Sequence, residues 1–270
     1  MPFGATSNFT LEICCSDLES ARAAEKNGAD RIELCQNLEQ GGVTPSYGLI
    51  KKCVEQLKIP VHVLIRPRPG HFGYQEDELQ VMFEDIAVCK ELGCAGVVVG
   101  FADAEWKVNQ ALTRAAVEAA GSMAVTYHRA FDDICDEDPG SDRALEAVID
   151  AGCSRLLTSG RAQTAEEGID QIKRFVEQAQ GRIVIMPGSG VSPENVKQII
   201  QHTGVREVHT SAKHIKKHVN KKRRSGFFEA DQIVVDGSVV AKMVEALERI
   251  DIGTLPSSPA ARKQIKICPP

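Results

Sequence analysis

Two short stretches of the chain repeat one chemical pattern, Glu12-Ile13-Cys14 and Glu33-Leu34-Cys35. If each is a β-strand, alternation turns its Glu and Cys to one face and its aliphatic residue to the other. Neighbouring strands run about 4.8 Å apart, which lets Cys14 and Cys35 approach one another. Two converging thiolates suit a soft ion such as Cu(I). Cys15 follows Cys14 directly and therefore faces away from the pair. The chain holds nine cysteines, an odd number with no Cys-x-x-Cys pair. That spacing excludes a zinc ribbon and a thioredoxin-type motif, and the other seven read as small hydrophobes in a reducing compartment.

The same parity yields further inward groups. It leaves His62 and Arg66 facing in from Val61–Ile65, Thr126 and His128 from Ala124–His128, and His209 and Ser211 from the run at Glu207–Thr210. The expected interior is therefore lined by Glu12, Glu33, His62, Arg66, His128 and His209. Buried charge costs several kcal/mol per group unless it is paired, so packing alone does not explain such a lining. One reading is an ion network in which Arg66 neutralises Glu12 and Glu33. The other is a ligand site, which the clustering of polar residues towards strand ends favours. In that reading Glu12, Glu33, His128 and Asp132 are candidate acid–base groups. Arg66, Arg68 and Arg129 would hold an anion, helped by Ser159, Gly188, Ser189, Gly190, His209 and Ser211 in the segments ending the last three strands. Cys14 and Cys35 are the candidate metal ligands. No strand carries a lysine placed for Schiff-base chemistry.

These side chains need a scaffold, and the chain supplies a regular one. Strand-like runs at Thr10–Cys14, Arg31–Leu34, Val61–Ile65, Gly96–Gly100, Ala124–His128, Arg155–Thr158, Ile183–Met186 and Glu207–Thr210 alternate with helical patterns. The helices are expected at Asp17–Asn27, Pro45–Gln56, Glu76–Glu91, Leu112–Ala119, Ser141–Asp150, Ala165–Gln178, Pro193–His202 and Val234–Ile250. Ser16 with Glu19 reads as a capping box, and Thr44-Pro45 and Ser192-Pro193 as caps before a first-turn proline. A glycine C-cap recurs before the even-numbered strands, at Gly28, Gly93, Gly152 and Gly204. Four repeats of a two-strand unit fit a closed (β/α)8 barrel better than an open sheet. The 270 residues allow one such barrel over 1–250, followed by a Pro- and Ser-rich tail at 251–270 expected to be disordered.

Composition bounds the rest. A net charge of -5 and a pI near 5.9 argue against a dedicated nucleic-acid binder. No apolar run approaches the roughly 18 residues of a membrane span, and the first residues lack a secretory pattern, so an intracellular protein is expected. Lys213–Arg224 carries seven Lys or Arg and two His. It reads as a solvated charged loop, with Lys221-Lys222-Arg223-Arg224 as a nuclear-localisation alternative.

Taken in order, these motifs resemble the CutC copper-homeostasis family. The matching stretches are Leu11-Glu12-Ile13-Cys14, Asn27 through Cys35, Gly41-Gly42-Val43-Thr44-Pro45-Ser46 and Ile65-Arg66-Pro67-Arg68. They continue through Tyr127-His128-Arg129-Ala130-Phe131-Asp132, Leu157-Thr158-Ser159-Gly160, Met186 through Val191 and Val208-His209-Thr210-Ser211-Ala212. The resemblance implies a TIM barrel, a homo-oligomer (dimer or tetramer), a cytoplasmic and sometimes also nuclear location, and a role in copper handling. It also implies Cu(I) binding by some members, with Cys14 and Cys35 as the matching thiols. Ser189 stands where the family usually has glycine, His71 and Gly73 where its loop is more acidic, and Lys213–Arg224 departs from its pattern. The residues themselves keep a second function open, an enzyme acting on a small anionic or phosphorylated substrate by acid–base chemistry.

Overall fold

The structure is a computed structural model that describes residues 8–134, 142–216 and 232–255. β1 (Thr10–Cys15) leads to α1 (Leu18–Lys26), β2 (Arg31–Leu34) to α2 (Tyr47–Gln56), β3 (Val61–Leu64) to α3 (Glu76–Glu91), and β4 (Gly96–Val99) to α4 (Gln110–Ala120). β5 (Ala124–Tyr127) precedes α5 (Arg143–Asp150), β6 (Arg155–Thr158) precedes α6 (Ile169–Ala179), and β7 (Val184–Pro187) precedes α7 (Val196–Thr203). After β8 (Glu207–Thr210) the chain inserts β9 (Lys213–Lys216) and β10 (Gln232–Val235) before α8 (Gly237–Glu248). The large sheet runs β7-β6-β5-β4-β3-β2-β1-β8, and β8 lies beside β7, so the strands come round to form a (β/α)8 barrel.

The alternation of faces follows the strand pleat. Leu11, Ile13, Ile32, Leu34, Val63, Val125, Tyr127 and Val208 belong to the apolar layer between strands and helices. Cys14, Cys35, Leu64 and Val98 form a separate small cluster inside the barrel. β4 makes room for its neighbours because the inward positions at its start and just past its end are glycines. A Cβ on Gly96 would lie 2.7 Å from His62 Nε2, and one on Gly100 only 2.2 Å from His128 Cε1. The two histidines on either side of β4 occupy the space that larger residues would fill.

Several helix starts differ from expectation, each for a local reason. Asp17, not Ser16, caps α1: its carboxylate accepts the Ser20 N–H at 2.7 Å, while the Ser16 hydroxyl donates to Ile233 O. Thr44 is tied to Arg66 through its own N–H and hydroxyl, so α2 begins after Ser46, whose hydroxyl accepts the Leu49 N–H. α6 and α7 start at Ile169 and Val196 rather than at Ala165 and Pro193. At Ser192 the N–H is taken by the Asn195 side chain. Ser141 lies outside the described residues, and Asp142 caps α5 through the Leu145 N–H.

The closing helix is also shorter than expected. Gln232–Val235 pairs antiparallel with Lys213–Lys216, with Ile233 opposite Ile215, so the start of the basic segment is a strand. Residues 217–224 of that segment lie outside the described residues, as do residues 256–270 of the expected tail. Ile252–Thr254 forms a short 3-10 turn after α8.

Candidate functional site

Register decides which inward side chains meet. In the β1–β2 ladder Glu12 stands opposite Arg31 and Cys14 opposite Glu33, while the β1–β8 ladder sets Glu12 opposite His209. Deep in the barrel this gives an ion network. Arg31 Nε donates to Glu12 Oε2 at 2.5 Å and Arg31 Nη2 to Glu207 Oε2 at 2.8 Å, and Arg155 Nε reaches the same Glu207 oxygen at 2.6 Å. Burial opposes ionisation of Glu12, but Arg31 and His209 outweigh it and hold the carboxyl well below the usual range. Burial likewise opposes the charge on Glu207, and Arg31 and Arg155 prevail. The expected neutralisation of Glu12 and Glu33 by Arg66 does not occur. Arg66 instead donates to Gly42 O and Gly70 O, both at 2.8 Å, pinning the loops that follow β2 and β3.

Above this network the C-terminal ends of the strands enclose a cavity of about 630 Å³. Among the expected site residues, Cys14, Glu33, Arg66, His128, Arg129, Ser189, Gly190, His209 and Ser211 line it. Leu38, Leu64, Phe72, Asp133 and Lys213, which parity and motif reading did not single out, line it as well. Cys35 is wholly buried behind Cys14, with the two Sγ atoms 3.7 Å apart. The thiol of Cys14 is pushed well above its ordinary pKa, first by its contact with Cys35 and then by burial. Ligand atoms of Cys14, Glu33 and His209 lie within 4.8 Å of one another. Burial pushes Glu33 up as well, against the opposing pull of His209. Burial also works against a charged His209, but Glu33 and the Glu12 hydrogen bond (2.8 Å) raise it overall.

Other candidates lie outside the cavity wall. Glu12 sits in the network beneath it, bonded to His209 and Arg31. Arg68 turns away to Glu78, with Nε to Oε1 at 2.5 Å, and to the carbonyls of His71 and Gly73. Asp132 is fully engaged in holding its loop. It accepts from the Thr158 hydroxyl, the Ser159 N–H and hydroxyl, the Arg161 N–H and Arg129 Nε. Ser159 serves the same knot, its single hydroxyl proton shared between Asp132 and Ala162 O, which lies 2.6 Å away. Gly188 packs against Leu157, whose Cδ1 would lie 2.5 Å from an added Cβ.

The sequence reading missed Arg31, Arg155 and Glu207. The signal was present, because Arg31 shares the face of Glu33, and Glu207 that of His209. Each begins its strand, one pleat repeat below the position that drew attention. Ser189, where the resemblance leads one to expect glycine, has φ 73°, a left-handed conformation that glycine adopts freely. Its hydroxyl donates to Gln163 O at 2.7 Å.

Fold and site together define a (β/α)8-barrel protein with a polar, thiol-bearing mouth. The chain belongs to the CutC family, whose sequence model matches residues 9–214. It is 48% identical over 205 residues to a CutC family protein of Xylella fastidiosa, covering 76% of this chain and 75% of that one. A CutC family protein of Vibrio campbellii is 41% identical over 249 residues, covering 89% and 99%. The crystal structure of a Streptococcus agalactiae CutC named for copper homeostasis superposes with a TM-score of 0.70 at 35% identity, covering 75% of this chain and 98% of that one. Among the described residues, no helix is long and apolar enough to cross a membrane.

Proposed function

We propose that this chain serves copper homeostasis by holding Cu(I) at the barrel mouth, with Cys14 and Cys35 as the sulfur ligands and Glu33 and His209 beside them. The observation that carries this reading is the 3.7 Å separation of the two Sγ atoms, with Cys14 also in the wall of the open cavity. Two metal–thiolate bonds of about 2.3 Å (the zinc value) placed in line would hold the sulfurs about 4.6 Å apart. The shorter separation suits a bent arrangement with room for a third donor. Thiolates and an imidazole are the donors expected for Cu(I), and the ion must displace the Cys14 proton on entering. The family's cytoplasmic, sometimes nuclear, location and its oligomeric assembly as a dimer or tetramer belong to the same reading.

An anaerobic Cu(I) titration against a chromophoric competitor tests this. About one Cu(I) per chain is expected, lost in a Cys14→Ser/Cys35→Ser double variant. Unchanged stoichiometry in the double variant overturns the assignment. Light scattering tests the assembly, and a monomer mass would contradict it.

A further inference from the structure

A single ion needs far less room than the mouth provides, and the wall across from Cys14 is built of hydrogen-bond donors. β5 stands across the barrel from β1, and His128 follows it with only 6% of its surface exposed. His128 Nδ1 accepts the Ala130 N–H at 3.1 Å, so the neutral ring carries its proton on Nε2. That Nε2–H has no acceptor among the described residues. Burial, reinforced by Arg66, pushes the ring down to about 3, so it stays neutral at ordinary pH.

Arg66 supplies the positive charge of the same wall: it is equally buried, its two terminal nitrogens are fixed on backbone carbonyls, and its guanidinium lies against the Tyr74 hydroxyl. Phe72 lies between the two side chains, 5.0 Å from the guanidinium carbon and 5.0 Å from the His128 ring. An unpaired buried donor is unfavourable, so the His128 Nε2–H in a residue of the cavity wall marks where a ligand oxygen belongs. On the other side of the mouth, after β7, the N–H groups of Gly190 and Val191 meet no acceptor among the described residues, with Lys213 also in the wall. The loops after the last two strands are where barrels often hold a phosphate. A cavity of about 630 Å³ is the size of a small-metabolite site.

We propose that the mouth binds a small phosphorylated sugar or polyol. Its phosphate rests on the Gly190 and Val191 N–H groups, and an oxygen at its far end accepts from His128 Nε2–H. This site needs no copper, and its donors are separate from the thiol pair. The test is calorimetric titration of the reduced, copper-free protein with ribose 5-phosphate, with ribose and inorganic phosphate as partial ligands. Ribose 5-phosphate binds saturably, inorganic phosphate more weakly, and ribose not measurably.

Losing one hydrogen bond to the ligand is worth about tenfold, so His128→Phe weakens binding by about that factor. His128→Gln, which keeps an N–H donor, stays within about threefold of the parent chain. In the unaltered protein carrying 15N-labelled histidine, the His128 ring signals shift with ribose 5-phosphate and not with ribose, a readout independent of whether any variant folds. Absence of saturable binding by ribose 5-phosphate overturns the proposal, as do unmoved His128 signals or full affinity in a folded His128→Phe.

Discussion

Arg31 carries the charge balance of the lower barrel, because Glu12 and Glu207 both lean on it inside a space almost closed to water. Removing one partner of a buried ion pair leaves an uncompensated charge at a cost of about 3–5 kcal/mol. Arg31→Met is therefore expected to lower the urea unfolding free energy by that amount, and a loss under about 1 kcal/mol would show the network to be dispensable. Two of the buried histidines, His62 and His128, set an acid dependence. His62 is pushed down to about 4 and His128 to about 3, first by burial, from an ordinary 6.5. Below pH 6.5 the unfolded chain binds protons that the folded chain refuses, so stability falls as pH drops from there towards about 4. Glu12 and Glu207 have the depressed pKa of paired carboxylates. Their contribution is present above the ordinary 4.5 and is lost below it, deepening the same acid sensitivity. Urea midpoints measured across this interval should decline with falling pH, and a flat profile would contradict the neutral-histidine assignment.

At the scale of elements, β4 shows how one strand positions side chains on two others. Gly100→Ala would put a Cβ 2.2 Å from His128 Cε1 and 2.9 Å from the Ala130 Cβ, so the ring must move. Overpacking of this kind costs about 1–3 kcal/mol, visible as a lowered melting temperature. An unchanged melting temperature would mean that the ring has slack the structure does not show. The eight barrel strands and their faces were legible in the sequence, since alternation is a local property of the pleat, whereas β9 and β10 were not. The helix starts were less so. Ser16, Thr44 and Ser192 are all good capping residues by type. Yet Ser16 bonds to β10 and Thr44 to Arg66, partners remote in the chain, which no local pattern reveals.

For the whole molecule, the barrel gathers groups from strands far apart in the chain at one opening. His209 and Glu12 are 197 residues apart yet hydrogen-bonded. Any ligand that binds only the folded barrel raises its stability by mass action, by about 2.7 kcal/mol at one hundred times Kd. Cu(I) added anaerobically should therefore raise the melting temperature of the parent chain and leave that of Cys14→Ser/Cys35→Ser where it is. Equal shifts in both would place copper elsewhere on the surface.

The sequence by itself determined the order of the eight barrel strands and their helices, the inward residues at the strand ends and the two cysteines that share a face. All of these follow from periods of two and 3.6 residues written into the chain. The tertiary structure alone decided which inward groups become partners. Strand register put Glu12 between Arg31 and His209, set Cys14 beside Glu33 and brought Cys35 up behind it. It also turned Arg66 from the expected counter-ion into a clamp on two loops in the cavity wall. Register is a property of the closed barrel and not of any single strand. Parity along a strand therefore names the residues inside, and only closure says which of them meet.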